Sequence, residues 1–311
     1  MLLCMDLGGT AVKLGLVDAQ GHIHQRTEAN VRSDGDATPI LTAAMAAAKD
    51  FLTGTGVTVE GVGVSATGQV DSSTGVVIGT NGAIPHYEGV NIREAMEEAF
   101  ELPVRVLNDA NAAVLGECFT GAARGLRHVL MLTLGTGVGG GMVLDGRLYG
   151  GARGIAGELG HFPLERGGRP CTCGNRGCLE QYASATGIVR LAKRKLEQET
   201  RNTILNRNDL SAKSVFDAVK ADDSVAKEIA ESFGNYLGRA LANLAAVIDP
   251  SIFVIGGGVS KAGEILLEYV EKPFQENAFF ANKDVRFALA TLGNDAGICG
   301  AAKLVLDDFA E

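Results

Sequence analysis

The sequence predicts an α/β fold of two similar lobes with a cleft between them. Three observations carry that expectation. The 311 residues exceed the length at which one hydrophobic core usually keeps growing. The composition, 46% hydrophobic and 21% charged with no Trp but 42 Gly, is that of a soluble α/β protein in which backbone does part of the chemistry. Finally, Thr133-Leu134-Gly135 to Asp145 repeats Asp6-Leu7-Gly8 to Asp18 at a constant offset of 127 residues (133 − 6, and again 145 − 18), and both segments read strand, glycine turn, strand.

The elements follow in order. Leu2 to Asp6 and Val12 to Val17 read as strands joined by a tight turn that carries Asp6, Gly8, Gly9 and Thr10, with Lys13 just beyond it. Thr38 as N-cap and Pro39 at the first helical position open an alanine-rich helix to Leu52. A strand at Gly61 to Ser65 follows. Val104 to Asn108 then runs straight into Asp109 and a helix from Ala110 to Phe119, so Asp109 falls at a strand end and a helix start, a favoured place for a reactive carboxylate. Val225 to Ile248 is one long helix ended by Asp249-Pro250, and Ile252 to Ile255 is a short apolar strand leading into Gly256-Gly257-Gly258. Ala296 to Phe309 is helical again. The expected lobes are 1–118, joined by about 296–311, and 119–295.

Charge excludes some partners. A net charge of −9 and a pI near 5.2 argue against a nucleic-acid surface, which needs clustered Lys and Arg. The one basic run, Lys193-Arg194-Lys195, reads as a solvated helix face. No apolar run reaches the ~18 residues of a membrane-spanning helix. Five residues before Asp6 leave no room for a signal peptide's apolar core, so the cytoplasm is the expected compartment.

Glycine turns aim several backbone N–H groups at one anion and so cradle phosphates. Three such turns are present, and Asp6 beside the first suits Mg²⁺, which takes oxygen ligands and shares them with phosphates. Two commoner nucleotide motifs fail. Gly135, Gly137 and Gly140 fit G-x-G-x-x-G, but Gly141-Met142-Val143-Leu144 continues as strand where a dinucleotide fold needs a helix, and no G-x-x-x-x-G-K-[ST] occurs. His161 with Cys171, Cys173 and Cys178 offers one imidazole and three thiolates for a tetrahedral, structural Zn²⁺, and two glycines in that loop let the chain wrap tightly. Cys4, Cys118 and Cys299 read as core.

These residues resemble the ROK family of sugar kinases. The resemblance rests on Asp6-Leu7-Gly8-Gly9-Thr10, on Leu134 to Gly141, on Glu158-Leu159-Gly160-His161, and on Cys171 to Glu180 in its C-x-C-G-x-x-G-C-x-E form; it covers essentially the whole chain. It implies an actin-like ATPase (ribonuclease H-like) fold and transfer of the γ-phosphoryl group of ATP to a hexose. It further implies Asp109 as the general base, with Asn108 beside it on the sugar. Gly68, Asn81, Glu158, His161 and Glu180 would line the sugar site, zinc positioning His161 and its loop. Asp6, Gly8, Gly9, Thr10, Lys13, Thr136 and Gly137 would grip the phosphates with Mg²⁺, and Gly256, Gly257 and Gly258 would lie by the adenosine. A homodimer is the expected assembly.

Glucose, phosphorylated at its primary hydroxyl, is the first reading of the substrate. Glu180-Gln181-Tyr182-Ala183-Ser184 is similar to the family's glucokinases, whereas Thr80 to Val90 is less typical and keeps N-acetylmannosamine or N-acetylglucosamine as the alternative. Two non-enzymatic readings stand beside these: a sugar-sensing transcriptional regulator, disfavoured by an acidic chain that opens at its phosphate turn, and a sugar-binding module without catalysis.

Overall fold

β1 (Leu2–Leu7) is buried along almost its whole length, with Asp6 the one charged residue in it. So continuous an apolar run marks a central strand covered on both faces. It pairs antiparallel with β2 (Ala11–Val17), Leu2 opposite Val17 and Leu7 opposite Val12. β3 (Ile23–Asn30) closes that side as an edge strand whose run from His24 to Glu28 is polar and exposed, a composition that discourages further pairing. β4 (Gly61–Ala66) continues the sheet in parallel on the other side of β1; β5 (Gln69–Asp71) and β6 (Val76–Gly79) form a separate hairpin; β7 (Val104–Asn108) completes the order β3-β2-β1-β4-β7.

The second sheet repeats this plan. β8 (Val129–Leu134) and β9 (Val138–Leu144) start and stop 127 residues after β1 and β2 at all four ends. With β10 (Arg147–Leu148), β11 (Ile252–Gly256) and β12 (Arg286–Leu289) the order is β10-β9-β8-β11-β12; β10 pairs antiparallel with β9, and β11 runs parallel to both β8 and β12. The structure, a computed structural model, describes residues 1–31, 37–80, 84 and 86–310. Asn81, and the side chains of Thr38 and Pro39, lie outside the described residues.

The helices are α1 (Ala37–Thr55), α2 (Ile92–Phe100), α3 (Asp109–Phe119), α4 (Glu180–Ala183), α5 (Ala185–Glu197), α6 (Ala212–Lys220), α7 (Ser224–Ile248), α8 (Ile265–Asn277) and α9 (Ala296–Phe309). None is long and apolar enough to cross a membrane among the described residues. One compact unit comprises Met1–Leu126, Gly141–Gly157 and Thr291–Glu311, the other Arg127–Gly140 and Glu158–Ala290. The first break therefore lies after Leu126, where the expectation was 118, and Gly141–Gly157 groups with the first unit.

In the first unit Leu3, Met5, Leu14, Val62, Val64 and Val106 are fully buried. Helices α3 and α9 pack so closely that a Cβ on Gly300 would stand 1.8 Å from the carbonyl oxygen of Ala112. Glu117, near the end of α3, is fully buried, yet its carboxylate accepts hydrogen bonds from Ala122 N at 2.7 Å and from Thr291 N and Leu292 N, each at 2.9 Å. A buried charge that collects this many donors costs little, and here it ties the approach to α9 onto α3. The second unit is anchored by Phe253, Phe274 and Phe287, whose ring centroids lie 5.1–5.6 Å apart.

Because α3 also carries Asp109, its crossing with α9 is testable apart from any chemistry. Gly300→Ala should destabilise the protein by about 1–3 kcal/mol through overpacking. The readout is the thermal midpoint, and a variant that melts with the wild type would show that the crossing relaxes freely.

Candidate active site

Asp6 stands at the end of β1 with a polar neighbour on each side in strand register: Lys13 on β2 and Ser65 on β4. Lys13 Nζ donates to Oδ2 at 3.1 Å, and the buried Ser65 hydroxyl donates to Oδ1 at 2.8 Å. Gly8 N donates to Ala11 O at 3.0 Å, which closes the turn holding Gly8, Gly9 and Thr10. Lys13, expected beside a phosphate, is here the counter-ion of Asp6.

At the end of β7 the chain turns into α3 without a linker. Asn108 is the N-cap: its Oδ1 accepts from Ala110 N at 2.9 Å and Asn111 N at 3.3 Å, while its Nδ2 donates to Gly68 O at 2.7 Å. That one side chain fixes both the helix start and the short connection between β4 and β5. Asp109, the first helical residue, is exposed, and its Oδ1 accepts from Ala110 N at 2.7 Å. Tyr87 is fully buried nearby, and its hydroxyl has no hydrogen-bond partner among the described residues. Burial, and after it the negative charge of Asp109, pushes that phenol up from its ordinary pKa. The sequence reading missed Tyr87, Ser65 and Glu117.

In the second unit, Gly135 N donates to Gly137 O at 2.9 Å and forms the counterpart turn, with Thr136 exposed at its tip. Glu180, at the start of α4, accepts from Val138 N through Oε2 at 3.1 Å. Gly257 lies against the end of β8, where a Cβ would stand 2.6 Å from Leu134 N, so the Gly256–Gly258 segment and the Gly135 turn are direct neighbours. Glu158 is exposed just ahead of a single 3-10 turn, Leu159–His161, with His161 Nε2 4.0 Å from its Oε2.

His161, Cys171, Cys173 and Cys178 each bring one ligand atom within 4.8 Å of all the others. Cys171 Sγ lies 3.5 Å from His161 Nδ1, and Cys173 Sγ lies 3.7 Å from Cys178 Sγ. A tetrahedron with Zn–S near 2.3 Å and Zn–N near 2.0–2.1 Å has S···S edges of about 3.8 Å and S···N edges of about 3.6 Å, so the donor set fits zinc in chemistry and in size. The match also selects Nδ1 as the nitrogen facing the thiols and leaves Nε2 on the side of Glu158. Burial opposes thiolate formation at Cys171, but hydrogen bonds from Cys173, His161 and Cys178 bring its pKa down to about 6; burial and the neighbouring thiols push Cys178 up to about 12. The loop closes on Gly177, whose φ of +79° and approach to Glu165 O leave no room for a side chain.

The structure thus gathers the predicted residues in groups. Asp6 with Lys13, and Gly68 with Asn108 next to Asp109, belong to the first unit. The Thr136–Gly137 turn, Glu158, Glu180, Gly256–Gly258 and the His–Cys₃ cluster belong to the second. Cys4 and Cys299 are buried as expected, whereas Cys118 is only half-buried.

A model described as the ROK family matches residues 2–308, and the chain belongs to that family. The glucokinase of Halalkalibacterium halodurans is 40% identical to it over 97% of this chain and 93% of that protein. Two solved structures are similar over nearly all of both chains. One is a ROK family glucokinase from Streptomyces griseus in complex with glucose and AMPPNP, with 34% identity, a TM-score of 0.80, and coverage of 97% of this chain and 98% of that one. The other is the ROK hexokinase from Thermus thermophilus, with 32% identity, a TM-score of 0.84, and 99% of each chain covered. The fold is that of the actin-like ATPases.

Asn108→Ala removes an N-cap and the clamp on Gly68 together. It should cost about 1–2 kcal/mol, read as a lower denaturation midpoint with an unchanged denaturant slope. No loss of stability would mean that α3 starts equally well without its cap.

Proposed function

We propose that this chain is a cytoplasmic, ATP-dependent glucokinase that converts glucose to glucose 6-phosphate. The observation that carries the reading is Asp109: an exposed carboxylate on the first turn of α3, at a strand-to-helix junction that Asn108 locks. Membership of the ROK family and similarity to glucokinases over nearly the whole chain support glucose as the acceptor. Six free cysteines accord with a reducing compartment.

Asp109 accepts the proton of the sugar's primary hydroxyl as its oxygen attacks the γ-phosphorus, and the bond to the β-γ bridging oxygen breaks to release ADP. Little covalent work falls to the protein, so alignment and charge neutralisation dominate the barrier. Asp6 would hold Mg²⁺, which when bound would supply neutralisation of phosphate charge. The amides of the turns at Gly8 to Thr10 and at Thr136 to Gly137 hold the phosphates, and the Gly256–Gly258 segment lies by the adenosine. Lys13 leaves Asp6 for a phosphate oxygen when nucleotide arrives. Gly68, Asn81, Asn108, Glu158, His161 and Glu180 orient the sugar, the carboxylates accepting its hydroxyl protons and His161 using Nε2. His161, Cys171, Cys173 and Cys178 hold a structural zinc that orders the loop carrying His161. The protein works as a homodimer.

A coupled ADP-release assay with MgATP and a hexose panel tests this reading. Glucose should give the highest kcat/KM, and Asp109→Asn should lose ~10² to 10⁴ in kcat. A loss under tenfold would remove Asp109 as the base, while glucose binding without turnover would make the chain a sugar sensor instead. The metal assignment has its own test. The purified protein should carry one equivalent of zinc per chain, and Cys173→Ser should lose it together with several degrees of thermal midpoint. A zinc-free protein that melts with the loaded one would refute a structural metal.

A further inference from the structure

We propose that Thr186 is a positioning residue that couples the sugar-binding loop to the phosphate turn, so that glucose and nucleotide strengthen each other's binding. The proposal rests on the glucokinase reading and adds to it a route inside the second unit.

The route is built from backbone contacts. Val138, the first residue of β9, is held on both of its peptide groups. Its N–H donates to Glu180 Oε2 at 3.1 Å, and its carbonyl oxygen faces Gly160 so closely that a Cβ there would stand 2.1 Å away. Glu180 and Gly160 flank the proposed sugar ligands, Glu180 being one itself and Gly160 lying next to His161. On the other side of the turn, the N-terminus of α5 grips the two preceding carbonyls: Ala185 N donates to Gly135 O at 2.8 Å, and Thr186 Oγ1 donates to Thr136 O at 2.8 Å. Ser184, the N-cap of α5, in turn donates to Glu180 O at 2.7 Å.

The consequence follows from peptide geometry. In a trans peptide the C=O and N–H point in opposite directions. With the carbonyls of Gly135 and Thr136 drawn towards α5, the amides of Thr136 and Gly137 are turned away from it, which is the orientation an anion needs. The Thr186 hydroxyl therefore sets the peptide plane that presents Gly137 N–H. Gly137 leaves no slack on the other flank, since a Cβ there would stand 2.3 Å from Glu180 Oε2. A sugar hydroxyl that engages Glu180 acts on the carboxylate that fixes Val138 N–H, and the ordered turn then costs less to hold around a phosphate. Coupling of this kind is reciprocal for binding.

The sequence alone did not point to Thr186, which belongs to no glycine turn and no cysteine motif. It is the second residue of α5 and is half-buried.

The experiment measures the dissociation constant of AMPPNP with Mg²⁺ by calorimetry, with and without saturating glucose, for the wild type, Thr186→Val, Thr186→Ala and Thr186→Ser. In the wild type, glucose should tighten nucleotide binding about tenfold, within the usual range for coupled sites. The Val and Ala variants should lose most of that factor while keeping glucose affinity in the absence of nucleotide within about twofold, and Ser should restore it. A structural role alone would move the unliganded melting point and both affinities without moving their ratio. Val and Ala variants that keep the wild-type ratio overturn the proposal. So does a wild type that phosphorylates glucose yet binds AMPPNP equally well with and without it, a result that leaves the kinase standing. A wild type with no glucose binding overturns both.

Discussion

Two peptide groups of one residue tie together much of the second unit. Val138 bonds to Glu180 through its N–H and lies against Gly160 through its carbonyl, so the first residue of β9 is also the seat of the loop bearing Glu158 and His161. A strand in a five-stranded sheet is among the least mobile places in a protein, because its backbone groups are paired on both sides. The Glu180 carboxylate and the loop bearing His161 are thereby referenced to the sheet and not to a free loop. The His–Cys₃ cluster completes the arrangement from the far end of the loop, where the chain between Arg169 and Cys178 folds back through bonds such as Gly177 N to Arg169 O at 2.8 Å.

The first unit solves the same problem with side chains in strand register. Lys13, Asp6 and Ser65 form one row across β2, β1 and β4, and each hydrogen bond in that row follows from strand pairing alone. Asn108 does the equivalent at the next strand end, where a single amide caps a helix and holds a carbonyl 40 residues earlier in the chain. Both arrangements fix polar groups at the ends of parallel strands, the place where open α/β sheets commonly bind ligands.

Much of this was legible in the sequence, and the reasons are local. The repeat from Asp6 reappears at Thr133 because strand, glycine turn and strand are encoded by neighbouring residues, and β8 and β9 fall at the repeat distance without adjustment. The cysteine motif was legible because ligand spacing and metal geometry are both short-range. The unread residues act across the sequence. Ser65 meets Asp6 only through the pairing of β1 with β4, Glu117 meets Thr291 only once α9 returns to the first unit, and Tyr87 acquires its buried position from a loop with no regular pattern. Thr186 belongs with them, since its partner lies 50 residues away in sequence and on the other side of the cysteine loop.

The return of α9 also orders events during synthesis. That helix packs on α3, β1 and β4, so the hydrophobic face laid down by the first 126 residues lacks its cover until residues 296–309 have been made. At roughly 5–20 residues per second the ribosome leaves that face waiting for about ten to forty seconds. The second unit, nearly continuous from Arg127 to Ala290, becomes complete first and is ready to fold while the earlier-made sheet is still unfinished. The sheet made first therefore completes its packing last.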